Sequence, residues 1–149
     1  MKAERRAAVV WEGDLMSGSG TITSTRSGAL GNLDVSWKAR TEDPGGSTSP
    51  EELIAAALAA CFSMALSHGL AQAGNPPERL DVSATCTFEQ VEGGWKITTV
   101  GLDVSGRVPG IDEEAFEQAA EQAKQGCPVS RALEGNVEIT VQSRRVPAA

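Results

Sequence analysis

The chain has 149 residues, of which 40% are hydrophobic and 22% charged, and this size predicts one globular domain over residues 1–149. Its formal net charge of −7 excludes nucleic acids and anionic membrane surfaces as partners, because both require clustered Lys and Arg. The N-terminus has no signal-peptide pattern, and the longest apolar stretch, residues 53–66, is too short to span a bilayer. We therefore expect a cytoplasmic protein without a membrane partner.

Three strands are predicted in the N-terminal third, where apolar and polar residues alternate. They cover residues 7–11, residues 20–25 and a third run whose apolar face extends from Leu33 to Ala39. Successive side chains of a strand point to opposite faces, so Arg40 is expected on the face opposite to these apolar residues.

A long helix is predicted after a turn rich in Gly and Ser. Ser49 is the expected N-cap, Pro50 the first helical residue and Glu52 the partner in a capping box, and Gly74 ends the helix. Nearly every residue from 53 to 66 is apolar, which predicts a helix buried on all sides. One small sheet cannot cover so long a helix, so we expect a second subunit to cover part of it.

Two further strands are predicted over residues 80–88 and 95–107, joined by a hairpin at Gly93-Gly94. The apolar residues of the second strand change parity along its length. This change predicts a β-bulge near Thr99.

Two helices and a last strand complete the chain. Asp112 is the expected cap of a helix that ends near Gly126, and Cys127-Pro128 opens a short helix before a strand that includes residues 137–141. Because strands and helices follow in this order without regular βαβ alternation, the sequence predicts an α+β fold.

The three cysteines are an odd number at wide spacing, which is atypical of a secreted disulfide framework and indicates a reducing compartment. Cys61 lies mid-helix among apolar residues, where a thiol is ordinarily inert filler whose pKa is raised by burial. Cys86 falls on the apolar face of the strand predicted over residues 80–88, because it follows the same alternation as the apolar residues there, and it is predicted to lie in the core. Cys127 precedes proline at a helix start, where backbone N–H groups favour the thiolate and hence reactivity.

The remaining polar candidates have ordinary structural interpretations. His68 lies roughly 10 Å along the helix from Cys61, too far to act as its base. Glu51 is a first-turn acid that suits the helix dipole, and Arg40 can be an exposed strand charge. With a single histidine and no paired Cys spacing, neither a zinc site nor a Ser/His/Asp hydrolase is expected.

Four segments nevertheless resemble the OsmC/Ohr family, and together they cover nearly the whole chain. The segment from Ser49-Pro-Glu-Glu to Cys61-Phe-Ser-Met resembles the first cysteine helix of that family, and Ala123-Lys-Gln-Gly-Cys127-Pro-Val-Ser130 resembles the second cysteine motif. Trp11-Glu-Gly-Asp14 and Val108-Pro-Gly-Ile-Asp112 resemble its OsmC branch. Two departures are Ser49, where the family has Asn, and His68, where it usually has an apolar residue.

This resemblance implies antiparallel sheets wrapped around a long buried central helix in an intertwined homodimer. It also implies a peroxidase of oxidative or osmotic stress defence that reduces organic hydroperoxides without a metal or organic cofactor. Cys61 would be the peroxidatic and Cys127 the resolving cysteine, with Arg40 and Glu51 activating Cys61 and a dithiol, possibly lipoyl-type, as reductant. Apolar walls around Cys61 would favour peroxides with hydrocarbon tails.

Two other functions remain open at the level of the sequence. One is a small-molecule-binding or stress module on the same scaffold, whose cysteines are only redox-sensitive. The other is a general dithiol-disulfide oxidoreductase, which would act on protein disulfides without peroxide.

The spacing of Glu51 and Cys61 predicts that the active site is shared between subunits. The two residues are ten positions apart, which is roughly 15 Å along one straight helix and beyond the reach of a glutamate side chain. If Glu51 orients the arginine that activates Cys61, it must come from a helix lying alongside. A two-fold homodimer supplies that helix and also buries the apolar helix surface.

Overall fold

The computed structural model describes residues 1–147, which form an α+β arrangement of six strands and four helices. The α+β prediction is therefore confirmed. The chain divides into two compact units, Met1–Leu53 and the residues from Ile54 onward. The single-domain organisation stays a prediction.

The N-terminal unit contains an antiparallel sheet of three strands in sequence order. These are β1 (Ala7–Glu12), β2 (Ser19–Thr25) and β3 (Leu33–Val35). The first two strands agree with the prediction to within a residue, because their alternating pattern is a local property of the sequence.

The predicted third strand is wrong beyond Val35, where a short helix, α1 (Trp37–Thr41), follows instead. The Ser36 hydroxyl accepts a hydrogen bond from the backbone N–H of Ala39 at 3.1 Å and caps this helix. A serine side chain offers the backbone this alternative to the sheet ladder, which accounts for the change of structure. Arg40 therefore lies in the last turn of a helix and not on a strand face.

The long helix, α2 (Pro50–Gln72), begins and ends where the sequence predicts. The Ser49 hydroxyl accepts a hydrogen bond from the Glu52 N–H at 3.1 Å, as an N-cap does. Gly74 has φ +85°, a conformation that glycine adopts without strain, and it ends the helix.

Within one chain, α2 is buried on one face only, and burial of its other face by a second subunit stays a prediction. Its opposite face is exposed and apolar, and Met64 there is 71% exposed. By length and composition all 23 residues of α2 could cross a membrane, a property that the core helices of soluble proteins share. Its buried face packs into the core of the second unit through four residues: Leu58, Phe62, Leu66 and Leu70.

The C-terminal unit has a sheet formed by β4 (Arg79–Val91), β5 (Gly94–Arg107) and β6 (Glu138–Arg145). In the β4–β5 hairpin, Thr99 pairs with Thr87 and Ile97 with Phe88, which leaves Thr98 as the extra residue. The predicted bulge near Thr99 is thus confirmed.

The strand β6 pairs with β5 in parallel, so the expectation of purely antiparallel sheets is wrong. Two helices, α3 (Glu113–Gly126) and α4 (Pro128–Leu133), lie between these strands in the sequence. Such a crossover returns the chain to the end of the sheet at which β5 began, and a parallel pair results.

The core of the second unit lies between this sheet and helices α2 and α3. Gly106 on β5 permits close approach of α3, because a Cβ there would lie 2.5 Å from the Phe116 ring. Asp112 caps α3 as predicted, accepting a hydrogen bond from the Ala115 N–H at 2.8 Å. This packing positions the start of α4, and with it Cys127, against the core.

Candidate active site

Arg40 and Glu51 form an ion pair in the N-terminal unit. Arg40 Nη2 donates to Glu51 Oε1 at 2.6 Å, and Arg40 Nε donates to Oε2 at 3.2 Å. The Glu51 side chain is 7% exposed and that of Arg40 28%. A bidentate pair of this kind fixes the plane of the guanidinium group and limits its rotation.

Trp37 contributes a second contact to Arg40 that sequence reasoning missed. The guanidinium carbon of Arg40 lies 5.6 Å from the centroid of the Trp37 ring, within the range of a cation–π interaction. The two residues are one helical turn apart, so recognising Ser36 as an N-cap would have revealed the pair. Arg40 is consequently held by a carboxylate and by an aromatic ring.

Cys61 and Cys127 come together in the C-terminal unit although they are far apart in the sequence. Cys61 lies partly buried in the middle of α2, and Cys127 is fully buried immediately before α4. Both are thiols that pack on the same hydrophobic core cluster, and each side chain acts on the pKa of the other. This proximity is what formation of a disulfide between them requires.

The two thiols have opposite pKa shifts. Burial raises the pKa of Cys61, and the Cys127 side chain raises it further. Burial also acts to raise the pKa of Cys127, but the polar groups around its sulfur outweigh burial and lower that pKa; these groups are Cys61, the N–H and hydroxyl of Ser130 and the Val129 N–H. With only the groups of one chain acting on the two thiols, deprotonation is therefore favoured at Cys127 over Cys61.

Ser130, in the C-terminal unit, is a further residue that sequence reasoning missed. It is 4% exposed, and across residues 1–147 no group completes a hydrogen bond to its Oγ at standard geometry. The hydroxyl nevertheless acts to lower the pKa of Cys127, which indicates that it lies near the Cys127 sulfur without being aligned for a complete hydrogen bond. Its place one turn after Cys127 in the Cys-Pro-Val-Ser sequence was the available signal.

Comparison with known proteins identifies the family. The profile of the family described as OsmC-like protein matches residues 43–142. The chain belongs to the OsmC family. It is 42% identical to Peroxiredoxin OsmC of Escherichia coli over 142 residues, which cover 95% of this chain and 98% of that protein.

Two further relatives are of the organic hydroperoxide resistance type. The organic hydroperoxide resistance protein of Xanthomonas axonopodis pv. citri is 31% identical over 85% of this chain and 93% of its own length. The crystal structure of the organic hydroperoxide resistance protein OhrB of Bacillus subtilis superposes with a TM-score of 0.72 at 27% identity, covering 93% of this chain and 98% of that one. The OsmC/Ohr-like fold is confirmed, and these relatives support a peroxidase-type redox role in stress defence.

Two other residues of this OsmC family member were candidates in the sequence, Cys86 and His68. Cys86 on β4 packs partly buried against the core, as its parity predicts. His68 is exposed on α2 and lines a cavity of about 430 Å³ between α2 and α3. Among residues 1–147, no cluster of three or more His, Cys, Asp or Glu side chains is arranged to hold a metal ion.

Proposed function

We propose that this protein is a thiol peroxidase that reduces organic hydroperoxides to alcohols, with Cys61 as the peroxidatic and Cys127 as the resolving cysteine. The observation that carries the proposal is the packing of the two thiols on one core cluster of the second unit, close enough for each to act on the pKa of the other. The names of the relatives, Peroxiredoxin OsmC and organic hydroperoxide resistance protein, support the same chemistry.

The proposed cycle uses thiol chemistry throughout. The Cys61 thiolate attacks one oxygen of the hydroperoxide, the O–O bond breaks, and the alkoxide takes a proton and leaves as an alcohol. Cys61 is then a sulfenic acid, which Cys127 attacks to form a disulfide with release of water. A dithiol reductant, which we propose to be of the lipoyl type, reduces the disulfide, and the proposed cycle uses no metal ion or organic cofactor.

Activation of Cys61 requires a positive charge, because burial raises its pKa. None of the groups that act on this pKa within the described residues is a cation. We assign the role to Arg40, whose guanidinium group is oriented by Glu51 and Trp37. A guanidinium beside the sulfur would stabilise the thiolate and hold the peroxide oxygen.

We further propose a homodimer with shared active sites, in which Glu51 and Arg40 of one protomer serve Cys61 of its partner. The straight-helix separation of Glu51 and Cys61, roughly 15 Å, argues for this arrangement. So does the exposed apolar face of α2, which a second copy would bury. That face carries Ala56, Ala57, Ala60 and Met64.

The substrate preference follows from the apolar surroundings of Cys61, which packs against Leu58, Phe62 and other members of the core. An apolar site favours peroxides with hydrocarbon tails over hydrogen peroxide. With a net charge of −7, the protein is proposed to act in the cytoplasm without nucleic-acid or membrane partners.

Peroxide-dependent oxidation of the reduced protein tests the function, with thiols counted before and after. Organic hydroperoxide should consume two thiols of the parent and release one alcohol. The Cys61→Ser variant should be inactive, the Cys127→Ser variant should accumulate a sulfenic acid, and the Cys86→Ser variant should retain turnover. An active Cys61→Ser variant would refute the proposed mechanism.

A further inference from the structure

The hydroxyl of Ser130 is a buried polar group that the proposed cycle does not use. Ser130 is the third residue of α4 and is 4% exposed, and its Oγ has no complete hydrogen bond within residues 1–147. Burial of a hydroxyl without a partner is unfavourable, so such a group in a folded protein calls for an acceptor that is present in some functional state.

The backbone groups of this turn are already engaged. The Arg131 N–H donates to the Cys127 carbonyl at 3.0 Å, and the Glu134 N–H donates to the Ser130 carbonyl at 3.0 Å. The Cys127 N–H donates to the Ala123 carbonyl at 2.9 Å. Cys127 is the N-cap of α4 and Ser130 its third residue, a spacing at which the cap side chain and the third residue face each other in a helix. A Cys127 thiolate at the cap would be a much stronger acceptor for the Ser130 hydroxyl than a thiol.

We propose that the Ser130 hydroxyl donates a hydrogen bond to the Cys127 thiolate and thereby makes Cys127 the leaving sulfur when the Cys61–Cys127 disulfide is reduced. The second part of this inference rests on the proposed function, because it requires the disulfide to form during turnover. The lowered pKa of Cys127, to which Ser130 contributes through its N–H and its hydroxyl, agrees with the first part.

The reduction step can be written with all atoms balanced. One thiolate of a dithiol reductant attacks the Cys61 sulfur, the S–S bond breaks, and Cys127 leaves as a thiolate bound by the Ser130 hydroxyl. The second thiol of the reductant then attacks the mixed disulfide, and its proton passes to the departing Cys61 sulfur. The reductant becomes a cyclic disulfide, Cys61 is released as a thiol and Cys127 remains a thiolate, while the first proton of the reductant passed to solvent when the attacking thiolate formed. Attack at Cys61 is favoured because the sulfur with the lower pKa leaves faster.

Other charged and titratable groups lie near this turn and could also lower the pKa of Cys127. Cys61 faces Cys127 from α2, and Lys124 on α3 pairs with Glu121 at 2.7 Å. Arg131 and Glu134 line a cavity of about 440 Å³ together with Ser130. Within the described residues none of these four charged side chains acts on the pKa of Cys127, whereas Cys61 does. A test must therefore separate Ser130 from Cys61.

The experiment titrates Cys127 as the sole thiol, in the full chain carrying Cys61→Ala and Cys86→Ala. Thiolate absorbance near 240 nm is followed against pH, since this readout does not require a reagent to reach a buried sulfur. Adding Ser130→Ala should raise the titration midpoint by about one pH unit, the size expected for one hydrogen bond to a charged group. A merely structural role of Ser130 would leave this midpoint unchanged.

Ser63→Ala is the matched control in the same background, because the Ser63 hydroxyl is also partly buried but bonds to the Ala59 carbonyl of its own helix at 2.7 Å. It should leave the midpoint where it is. The isosteric pair Ser130→Thr and Ser130→Val provides a second comparison should the alanine variant not fold. The threonine variant should titrate below the valine variant, and equal midpoints would overturn the proposal.

Reduction of the oxidised protein by a dithiol tests the functional consequence with all three cysteines present. Ser130→Ala should slow disulfide reduction a few-fold, whereas Ser63→Ala should not. If the parent fails to reduce peroxide, the proposed function is refuted, but the titration still decides whether Ser130 binds the thiolate. If the midpoint shifts and the reduction rate does not, Cys127 is not the leaving sulfur.

Discussion

Replacement of Glu51 by glutamine removes the charge that orients Arg40 while preserving the shape of the side chain. The parent pair has two hydrogen bonds, at 2.6 and 3.2 Å, between the guanidinium group and a carboxylate that is only 7% exposed. Glutamine retains one oxygen acceptor but places an NH₂ group against a guanidinium N–H. One of the two bonds is therefore lost, and the arginine is left without a counter-charge.

The expected loss of stability follows from the burial of the pair. Removing one partner of a buried ion pair typically costs about 3–5 kcal/mol. Because Arg40 is 28% exposed and glutamine keeps one hydrogen bond, we expect Glu51→Gln to lower the free energy of unfolding by about 2 kcal/mol. For a chain of this length, that loss corresponds to a fall in Tm of about 4–8 °C.

The catalytic loss should exceed what the change in stability explains. A guanidinium that is no longer held in one orientation samples unproductive positions, and we expect kcat/KM for cumene hydroperoxide to fall by about 10²-fold. The assay is peroxide turnover with dihydrolipoamide, run well below Tm, with thermal unfolding measured on the same samples. Turnover by Glu51→Gln at the parent rate would refute the role given to the Arg40–Glu51 pair.

Glu52→Gln is the matched control for this prediction. Glu52 is the next residue in the same first turn of α2, but it is exposed and its carboxylate accepts a hydrogen bond from the Thr48 hydroxyl at 2.9 Å. It shares any effect of the helix dipole with Glu51. We expect a change of stability within about 0.5 kcal/mol and parent-like turnover. Equal losses in the two variants would point to a helix-end effect and not to the ion pair.

Three further predictions concern the subunits, the substrate and the β1–β2 loop. Refolding an inactive Cys61→Ser chain together with an inactive Glu51→Ala chain should restore one working site per heterodimer; verified heterodimers without activity would contradict shared sites. Cumyl or tert-butyl hydroperoxide should exceed hydrogen peroxide in kcat/KM, and a reversed preference would remove the organic-peroxide assignment. The Ser17 hydroxyl and N–H lower the pKa of the Asp14 carboxyl, so the stabilisation that ionised Asp14 contributes is present above the ordinary Asp pKa and is lost as the pH falls through the lowered value. Ser17→Ala should therefore raise the pKa of Asp14 measured by NMR. An unchanged Asp14 titration would refute Ser17 as the cause.

The opposite pKa shifts of the thiols make the identity of the peroxidatic cysteine directly testable. The pKa of Cys127 is lowered within the chain and that of Cys61 is raised by burial, so the proposed peroxidatic role of Cys61 requires an activating group, for which we propose Arg40. Trapping of the sulfenic acid after one equivalent of peroxide, followed by mass spectrometry of the peptides, distinguishes the two sulfurs. A label on Cys127 and not on Cys61 would exchange the proposed roles. Oxidation by protein disulfides but not by peroxide would instead indicate a dithiol-disulfide oxidoreductase.

The sequence alone determined the features that depend on neighbouring residues. The cap of α2 at Ser49, the cap of α3 at Asp112 and the bulge at Thr98 each follow from a side chain or a parity change within a few positions. The importance of Cys61 and Cys127 came from their motifs, and Arg40 was singled out although its local structure was predicted as a strand.

The tertiary structure decided what depends on residues distant in the sequence. The parallel pairing of β5 and β6 results from the return of the chain through α3 and α4, which no local pattern specifies. The contact of Cys61 with Cys127, and the ordering of their pKa values by burial and by Ser130, arise only when α2 and α4 pack on one core. Burial and hydrogen bonding depend on all the groups around an atom, so these properties emerge with the folded chain and not with its motifs.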